Sequence, residues 1–566
     1  MPAPRFRSLV HAGRLGVLLA FTATALHAQV REGVLPIDDP VQRFLQRQQA
    51  AGHLPGELLT TLPLSAYEAN RLLDSVAVRA DALPAVDRAL LARYRGEAPG
   101  PGVGAVQSLI PGAYRDGEAL VAVDGDGYAL RAQPLAYLTL APTRQTTRGD
   151  QGGTLTAWQN TRGIRASGHV GPIFFETRLE ENQRKPVWDA WSTFTAPRLN
   201  FVKHPGGDTY DYWRATGVVG YQNQFFDVRF GRDRNHWGFG EGSLALADFA
   251  APQDQLQIRT RFWRLQYTNL FARRVRPVER TPGTPVVYPR NWSALHQLAL
   301  DLPGGVQAEL FEITLFADDS LNGRRDGFEL SYLNPLIFYR AVEADVGTPD
   351  NVMLGAGLAW QATPGYRLYT QLLLDELRFS EITNDWWANK WGYLLGARLA
   401  DPGWGETRLR GLDLQIEYTR QRPYLYSHRF ESTAYLHSGD LIGHPAGPNS
   451  WDLAAFARYR PIPQVEAALN VAYTRRGRNT ATENFGSDPS LSYDSRVSND
   501  GVLTLQGIRQ NQLLIEGRAG VEVLPSLVLE GVLRYEALDD AELGLDRYLS
   551  VGGQLRWGLP YQSVRY

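Results

Sequence analysis

The chain has 566 residues and a formal net charge of −2, from 58 basic against 60 acidic residues, so it has no global field with which to collect a polyanion such as nucleic acid. It contains no cysteine, which excludes a disulfide framework and thiolate metal sites and is compatible with passage through an oxidising compartment. With 14 Trp, 26 Tyr and 22 Phe it is rich in side chains suited to a membrane–water interface, although a soluble β-sandwich or a carbohydrate-active enzyme can be as aromatic.

Arg5, Arg7 and Arg14 precede the apolar run Leu15 to Phe21, and small residues follow as far as Leu26-His27-Ala28. This pattern reads as a secretory signal peptide over residues 1–28, with cleavage after Ala28; the apolar run is too short for a membrane anchor. No later stretch is apolar enough to cross a bilayer as a helix, which leaves a soluble exported protein or a barrel.

Residues 29–104 read as a helical region ending in a linker. Asp39 is placed to cap a helix that opens on Pro40 and carries Val41, Phe44 and Leu45 on one face, with Gly52 as its stop. Ser65 and Glu68 have the spacing to satisfy each other's backbone donors at a second helix start, before Leu72 and Leu73. A third helix follows Pro84 with Val86, Leu90 and Leu91 and stops near Gly96; Ala98 to Gly104 is Pro- and Gly-rich and reads as a linker.

From Ala105 to Tyr566 the period becomes two. Leu412 to Thr419 alternates Leu, Leu, Ile and Tyr with Asp, Gln, Glu and Thr, and Ile515 to Val523 repeats the pattern before a Pro525-Ser526 turn leads into Leu527 to Glu536 as a hairpin. Further segments of this kind are Trp213 to Tyr221, Phe225 to Phe230, Val306 to Phe316, Arg367 to Asp375 and Leu549 to Leu559. A sandwich gives the same alternation. Opposite charges interleaved on the polar face, as at Glu516, Arg518 and Glu522, suit a wet lumen, and Gly517 and Ala519 on the other face suit lipid contact. Strands of about ten residues joined by loops of about fifteen give on the order of eighteen strands over 105–566, an all-β, large antiparallel transmembrane barrel. Trp557, Tyr561 and Tyr566 place aromatic residues at the chain end.

One string stands out: Gly231-Arg232-Asp233-Arg234-Asn235-His236-Trp237-Gly238-Phe239-Gly240, then Ser243-Leu244-Ala245-Leu246-Ala247-Asp248. It is followed in order by Trp263 to Leu270, Leu333 to Glu343, Asp350 to Gly355, Leu372 to Glu376, Asn389 to Gly392, Arg422 to His428 and His444 to Asn449. The ordered series resembles the capsule-assembly Wzi family. The resemblance implies an outer-membrane barrel of about eighteen strands with a small N-terminal helical part, and a role in holding or assembling capsular polysaccharide.

Candidate ligand residues are Arg232, Asp233, Arg234, His236, Trp237, Arg422, Tyr424 and His428, because guanidinium forks and carboxylates bond directionally to sugar hydroxyls or acidic groups and a Trp can stack on a sugar ring. The bland reading makes the first cluster an ion-pair network that holds loops in place, and Trp237 an interface anchor. Asp375-Glu376 invites a glycosidase reading, but adjacent strand residues point to opposite faces. His428, His437 and His444 match no compact zinc spacing. The expectation is a non-enzymatic, monomeric barrel in outer-membrane lipid that binds a surface polysaccharide with no cofactor, no metal and no nucleic acid; the rivals are a porin or carbohydrate channel and an exported soluble glycosidase.

Overall fold

The computed structural model describes residues 33–146, 152–185, 209–276, 288–317, 328–334, 350–404 and 407–561; the signal-peptide segment, Tyr566 and most of the Leu333 to Glu343 string lie outside them. Period-two segments long enough to span a bilayer cannot leave their backbone groups unpaired in lipid, and closure on themselves solves this. The strands do close. In chain order they are β1 Tyr128–Thr146, β2 Gly153–Val170, β3 Ile173–Lys185, β4 Tyr210–Gln222, β5 Phe226–Asp233, β6 Gln253–Phe262, β7 Leu265–Val275, β8 Arg290–Leu302 and β9 Val306–Ala317. They continue as β10 Asn351–Thr363, β11 Tyr366–Glu376, β12 Lys390–Ala400, β13 Leu412–Gln421, β14 Ser450–Ile462, β15 Val465–Arg478, β16 Ile508–Leu524, β17 Leu527–Asp540 and β18 Gly544–Trp557. Each pairs antiparallel with its neighbour, and β18 returns to β1, with Leu555 opposite Leu138 and Trp557 opposite Ala136.

The alternation turns charge inward and oil outward. On β16, Glu516 and Arg518 are 2% and 7% exposed inside, while Ala519 and Val521 face out. One end of the barrel has short turns, such as Pro525-Ser526 with Ser526 at φ 61°, and the other has long loops, the usual division between periplasmic and outer sides. Outward positions next to the short turns hold Tyr128, Ile173, Phe226, Phe262, Trp360 and Trp557, and among the described residues none of the outward positions there is charged.

The barrel begins later than the period suggested. Residues 103–109 form a short helix, and the first ladder pairing is that of Val121–Gly125 with the start of β1. Gly102, at φ 69°, sets the chain into that helix, so Ala105 belongs to the N-terminal side of the boundary.

Three N-terminal helices, α1 Pro40–Ala50, α2 Ala66–Ala77 and α3 Ala85–Tyr94, form a small core of their own through Phe44, Leu45, Leu72, Leu73, Leu90 and Leu91. Asp39 caps α1 by accepting from the Val41 amide at 2.9 Å. Ser65 caps α2 from the Glu68 amide at 3.2 Å, but the reciprocal half expected of Glu68 is absent: its carboxylate goes to Arg71 and to Arg261 of the barrel wall. The helices seat on the short-turn end. The Ala50 carbonyl accepts from Gly365 N at 2.9 Å in the β10–β11 turn, and Arg47 bonds Asp401 at 2.6 Å beyond β12.

Candidate functional site

The signature string builds the filling of the barrel. The segment between β5 and β6 turns back into the lumen, where His236–Trp237 pair with Thr61–Leu62 of the N-terminal region and Trp237 bonds Leu246 across the fold. Wall residues fix it: Glu417 of β13 accepts from the amides of Glu241 at 2.7 Å and Gly242 at 2.9 Å, and Gln371 of β11 accepts from Leu244 N at 2.7 Å. Leu244, Ala245 and Leu246 then form a dry core with Leu270, Ile313, Leu373, Tyr426 and Tyr435 on the β7–β13 side. Trp237 lies in that core at 0% exposure, so it is neither open to stack on a sugar nor at an interface.

The lumen also holds two cavities. A cavity of about 240 Å3 lined by helix residues such as Phe44 and Leu90 and one of about 300 Å3 share Asp38, Arg43, Arg458, Arg518 and Tyr561 in their linings. Arg234 belongs here, bonding the Asp248 carbonyl at 3.1 Å and Asp38 at 3.5 Å, as does His236, whose Nε2 is buried without a hydrogen-bond partner among the described residues. Asp233, at the end of β5, accepts from the Arg234 amide at 2.8 Å. Burial pushes the Asp38 carboxyl up, but Arg178, Arg234 and Arg43 outweigh it and hold the group below the usual range. Arg178, Arg184, Arg214 and Arg458, which sequence reasoning passed over, complete the wall; each is visible as inward only once the register is known. Arg232, by contrast, points outward and pairs with Asp254 at 2.6 Å on the rim.

Arg422, Tyr424 and His428 come together elsewhere, in the loop after β13 at the long-loop end. Arg422 holds the turn before β12 through the Asn389 carbonyl at 3.1 Å, the Trp386 carbonyl at 3.3 Å and Asp385 at 3.1 Å. Tyr424 donates to the Asn484 carbonyl at 2.6 Å, and His428 meets Thr433 at 2.6 Å. All three are under 9% exposed. They form the underside of a cap whose upper side carries half-buried Trp386 and Tyr493, with the Arg378 guanidinium 5.5 Å from the Trp386 ring and Arg496 4.2 Å from that of Trp387. Tyr424 and Tyr426 both sit at positive φ, 65° and 70°, a conformation costing about 1–3 kcal/mol each that the surrounding bonds must over-determine. Burial pushes the His428 imidazole down to about 3, with Lys390 and Arg429 adding to it, so this ring is neutral at pH 7.

One sequence reading changes. A register shift between Leu374 and Glu376 breaks the alternation, so Asp375 and Glu376, expected on opposite faces, both reach Lys390, at 3.0 and 3.2 Å. Asp375 and Lys390 have side chains 0% exposed, which makes the pair a buried ion cluster closed to a sugar. His428, His437 and His444 serve separate loops: His437 takes the Val275 amide at 3.2 Å and His444 the Ala446 amide at 3.3 Å.

An 18-strand barrel with an apolar belt, a helical seat at its short-turn end and a segment folded into its bore has the fold of outer-membrane barrels. No family model and no curated protein sequence matches the chain. Among solved structures it is similar to Wzi, an outer-membrane protein involved in group 1 capsule assembly in Escherichia coli and described as a carbohydrate-binding β-barrel, at 12% identity and a TM-score of 0.53, covering 94% of this chain and 100% of that one. Pseudomonas aeruginosa OccD3, at 11% identity, covers 75% of this chain and 91% of its own with a TM-score of 0.39; Acinetobacter baumannii OccAB2, also at 11%, covers 75% and 98% with 0.39. At these identities the likeness is one of fold.

Proposed function

We propose that this chain resides in the outer membrane and holds a surface polysaccharide at its long-loop end. The observation that supports this reading is the cap of Trp386, Trp387, Tyr493, Arg378 and Arg496, fixed from below by Arg422, Tyr424 and His428. Rings and guanidinium groups held in place lose little entropy on meeting sugar rings and hydroxyls. The individual contacts are weak, and a repeating polymer multiplies them along many barrels. Arg234 and His236 extend the same chemistry into the larger cavity. The test is binding of the purified barrel to immobilised surface polysaccharide from its own cells, together with the amount of capsule retained after deletion of the gene. A barrel that leaves the polymer unbound, or cells that keep their full attached capsule, would sink the reading.

A second reading, a channel for small anionic solutes, is favoured by one observation: the two cavities share residues from Tyr561 to Arg43 and their walls carry more arginine than carboxylate toward the long-loop end. Steady current in planar bilayers, reduced by Arg43→Ala, would support it over retention.

A further inference from the structure

The outer face of the barrel is as asymmetric as its ends. Beside the short turns, the outward positions are aromatic and aliphatic; beside the long loops, several of the outward rows end in arginine. The arc from β15 through β18 to β1 shows this most clearly, with Arg475, Arg509, Arg547 and Arg144 as the last or next-to-last outward residues of their strands and Asp539 of β17 between them. All four arginines are exposed. Their direction follows from the ladder: Arg144 lies opposite Leu549, which is 44% exposed on the lipid side, while Thr143 and Ser550 beside them are buried and bond each other inside.

Register also groups them. Arg547 is opposite Thr146, two residues from Arg144, and Arg475 is opposite Asn511, two residues from Arg509, so each pair is a diagonal cross-strand contact within reach of long side chains. Arg509 is 3.2 Å from Asp539, whereas Arg144, Arg475 and Arg547 have no ion pair or hydrogen bond among the described residues. Directly below stand Leu140 at 59%, Val551 at 58%, Leu533 at 51% and Leu469 at 45% exposed, a surface that only acyl chains can cover. Unpaired guanidinium forks at the upper edge of such a belt match a ligand with phosphate at its head and hydrocarbon below. Among the described residues no equivalent charge stands outward at the short-turn edge, so the match is to one leaflet only.

We propose that the arc formed by Arg475, Arg509, Arg547 and Arg144 is a docking surface for phosphate-bearing acylated lipid in the leaflet on the long-loop side, separate from the polysaccharide cap. The guanidinium pairs hold the phosphates and the leucine belt beneath holds the chains.

The experiment uses the full chain in detergent, incubated with bis-phosphorylated lipid A, its mono-phosphorylated form, or phosphatidylethanolamine, with retained lipid counted by native mass spectrometry. The wild type is expected to keep the bis-phosphorylated lipid in preference to both others. The double variant Arg144→Gln, Arg547→Gln should lose that preference by about tenfold or more, as removal of charge-assisted bonds requires. It should keep the wild-type melting temperature and polysaccharide binding, because neither residue contacts the lumen or the cap. Equal retention of all three lipids by the wild type would overturn the proposal, as would an unchanged preference in the variant. If the double variant melts early, Arg475→Gln alone, on the next strand pair, carries the same comparison.

Discussion

The Glu417 carboxylate takes both the Glu241 and the Gly242 amides, so one side chain of the barrel wall fastens the segment that fills the bore. Hydrogen bonds to a charged acceptor are worth about 1.5–3 kcal/mol each. Glu417→Ala removes both together with the Tyr369 hydroxyl bond at 2.6 Å, and leaves the barrel ladder intact. Its single-channel current in planar bilayers should exceed that of the wild type; an unchanged trace would mean that the Leu244 to Leu246 core alone holds the segment.

At the other end, Arg93 of α3 bridges Glu118 at 2.5 Å and Glu522 of β16 through bonds of 2.5 and 2.7 Å. The guanidinium and both carboxylates are nearly buried, so Arg93→Ala takes the shared guanidinium from two acids at a cost of roughly 3–5 kcal/mol. Limited proteolysis should then cut within residues 52–100 at a protease level that leaves the wild type whole, and heat-modified mobility of the barrel band should stay the same.

Acid should loosen the seat in a defined window. Burial raises the Glu68 carboxyl, but Arg261 and Arg71 reverse this and lower it from 4.5 to about 2, and Glu241 is lowered to about 2 by Arg458 and Arg43 against the same burial. Because both folded values lie below the unfolded ones, their contribution is complete above pH 4.5 and is lost as pH falls toward 2. Proteolytic protection of the helical region should therefore be flat from pH 7 to pH 5 and fall only below about pH 4.5. A midpoint near pH 6 would contradict the Glu68 ion pairs.

Two tryptophans should behave oppositely. Trp237→Ala empties a fully buried site and should cost about 3–5 kcal/mol of stability, read as a lower melting temperature. Trp386→Ala, at the half-buried face of the cap, should leave melting nearly unchanged and weaken polysaccharide binding by about tenfold, the loss of one stacking contact of roughly 1.4 kcal/mol. If Trp386→Ala binds as tightly as the wild type, the cap is not where sugar is held.

The residues differ in how legible their roles were. Asp39 and Ser65 mark their helices because a cap acts on donors two or three residues away, and Pro40 and Pro84 do so because a proline suits a helix start. The Pro525-Ser526 hairpin was equally plain, and so was the inward side of Glu516 and Arg518. Arg43, Arg178 and Arg214 gave no signal, since an arginine among polar lumen residues has no distinctive neighbours until strands far apart in sequence are set side by side. The string from Gly231 to Asp248 was conspicuous, yet its composition suggested ligand contact while its place is mainly the interior.

Order along the chain was thus enough to determine the barrel, its strand number and the presence of helices, because alternation, capping and turn chemistry act between residues a few positions apart. Tertiary structure alone decided which end the helices close, that Trp237 is core, that Arg422 and Arg234 lie in separate places and that Asp375 and Glu376 share Lys390. Those outcomes depend on partners such as Arg47 with Asp401 or Glu241 with Glu417, 354 and 176 residues apart in sequence, whose meeting is set by barrel closure and by one bulge that reverses a side-chain direction.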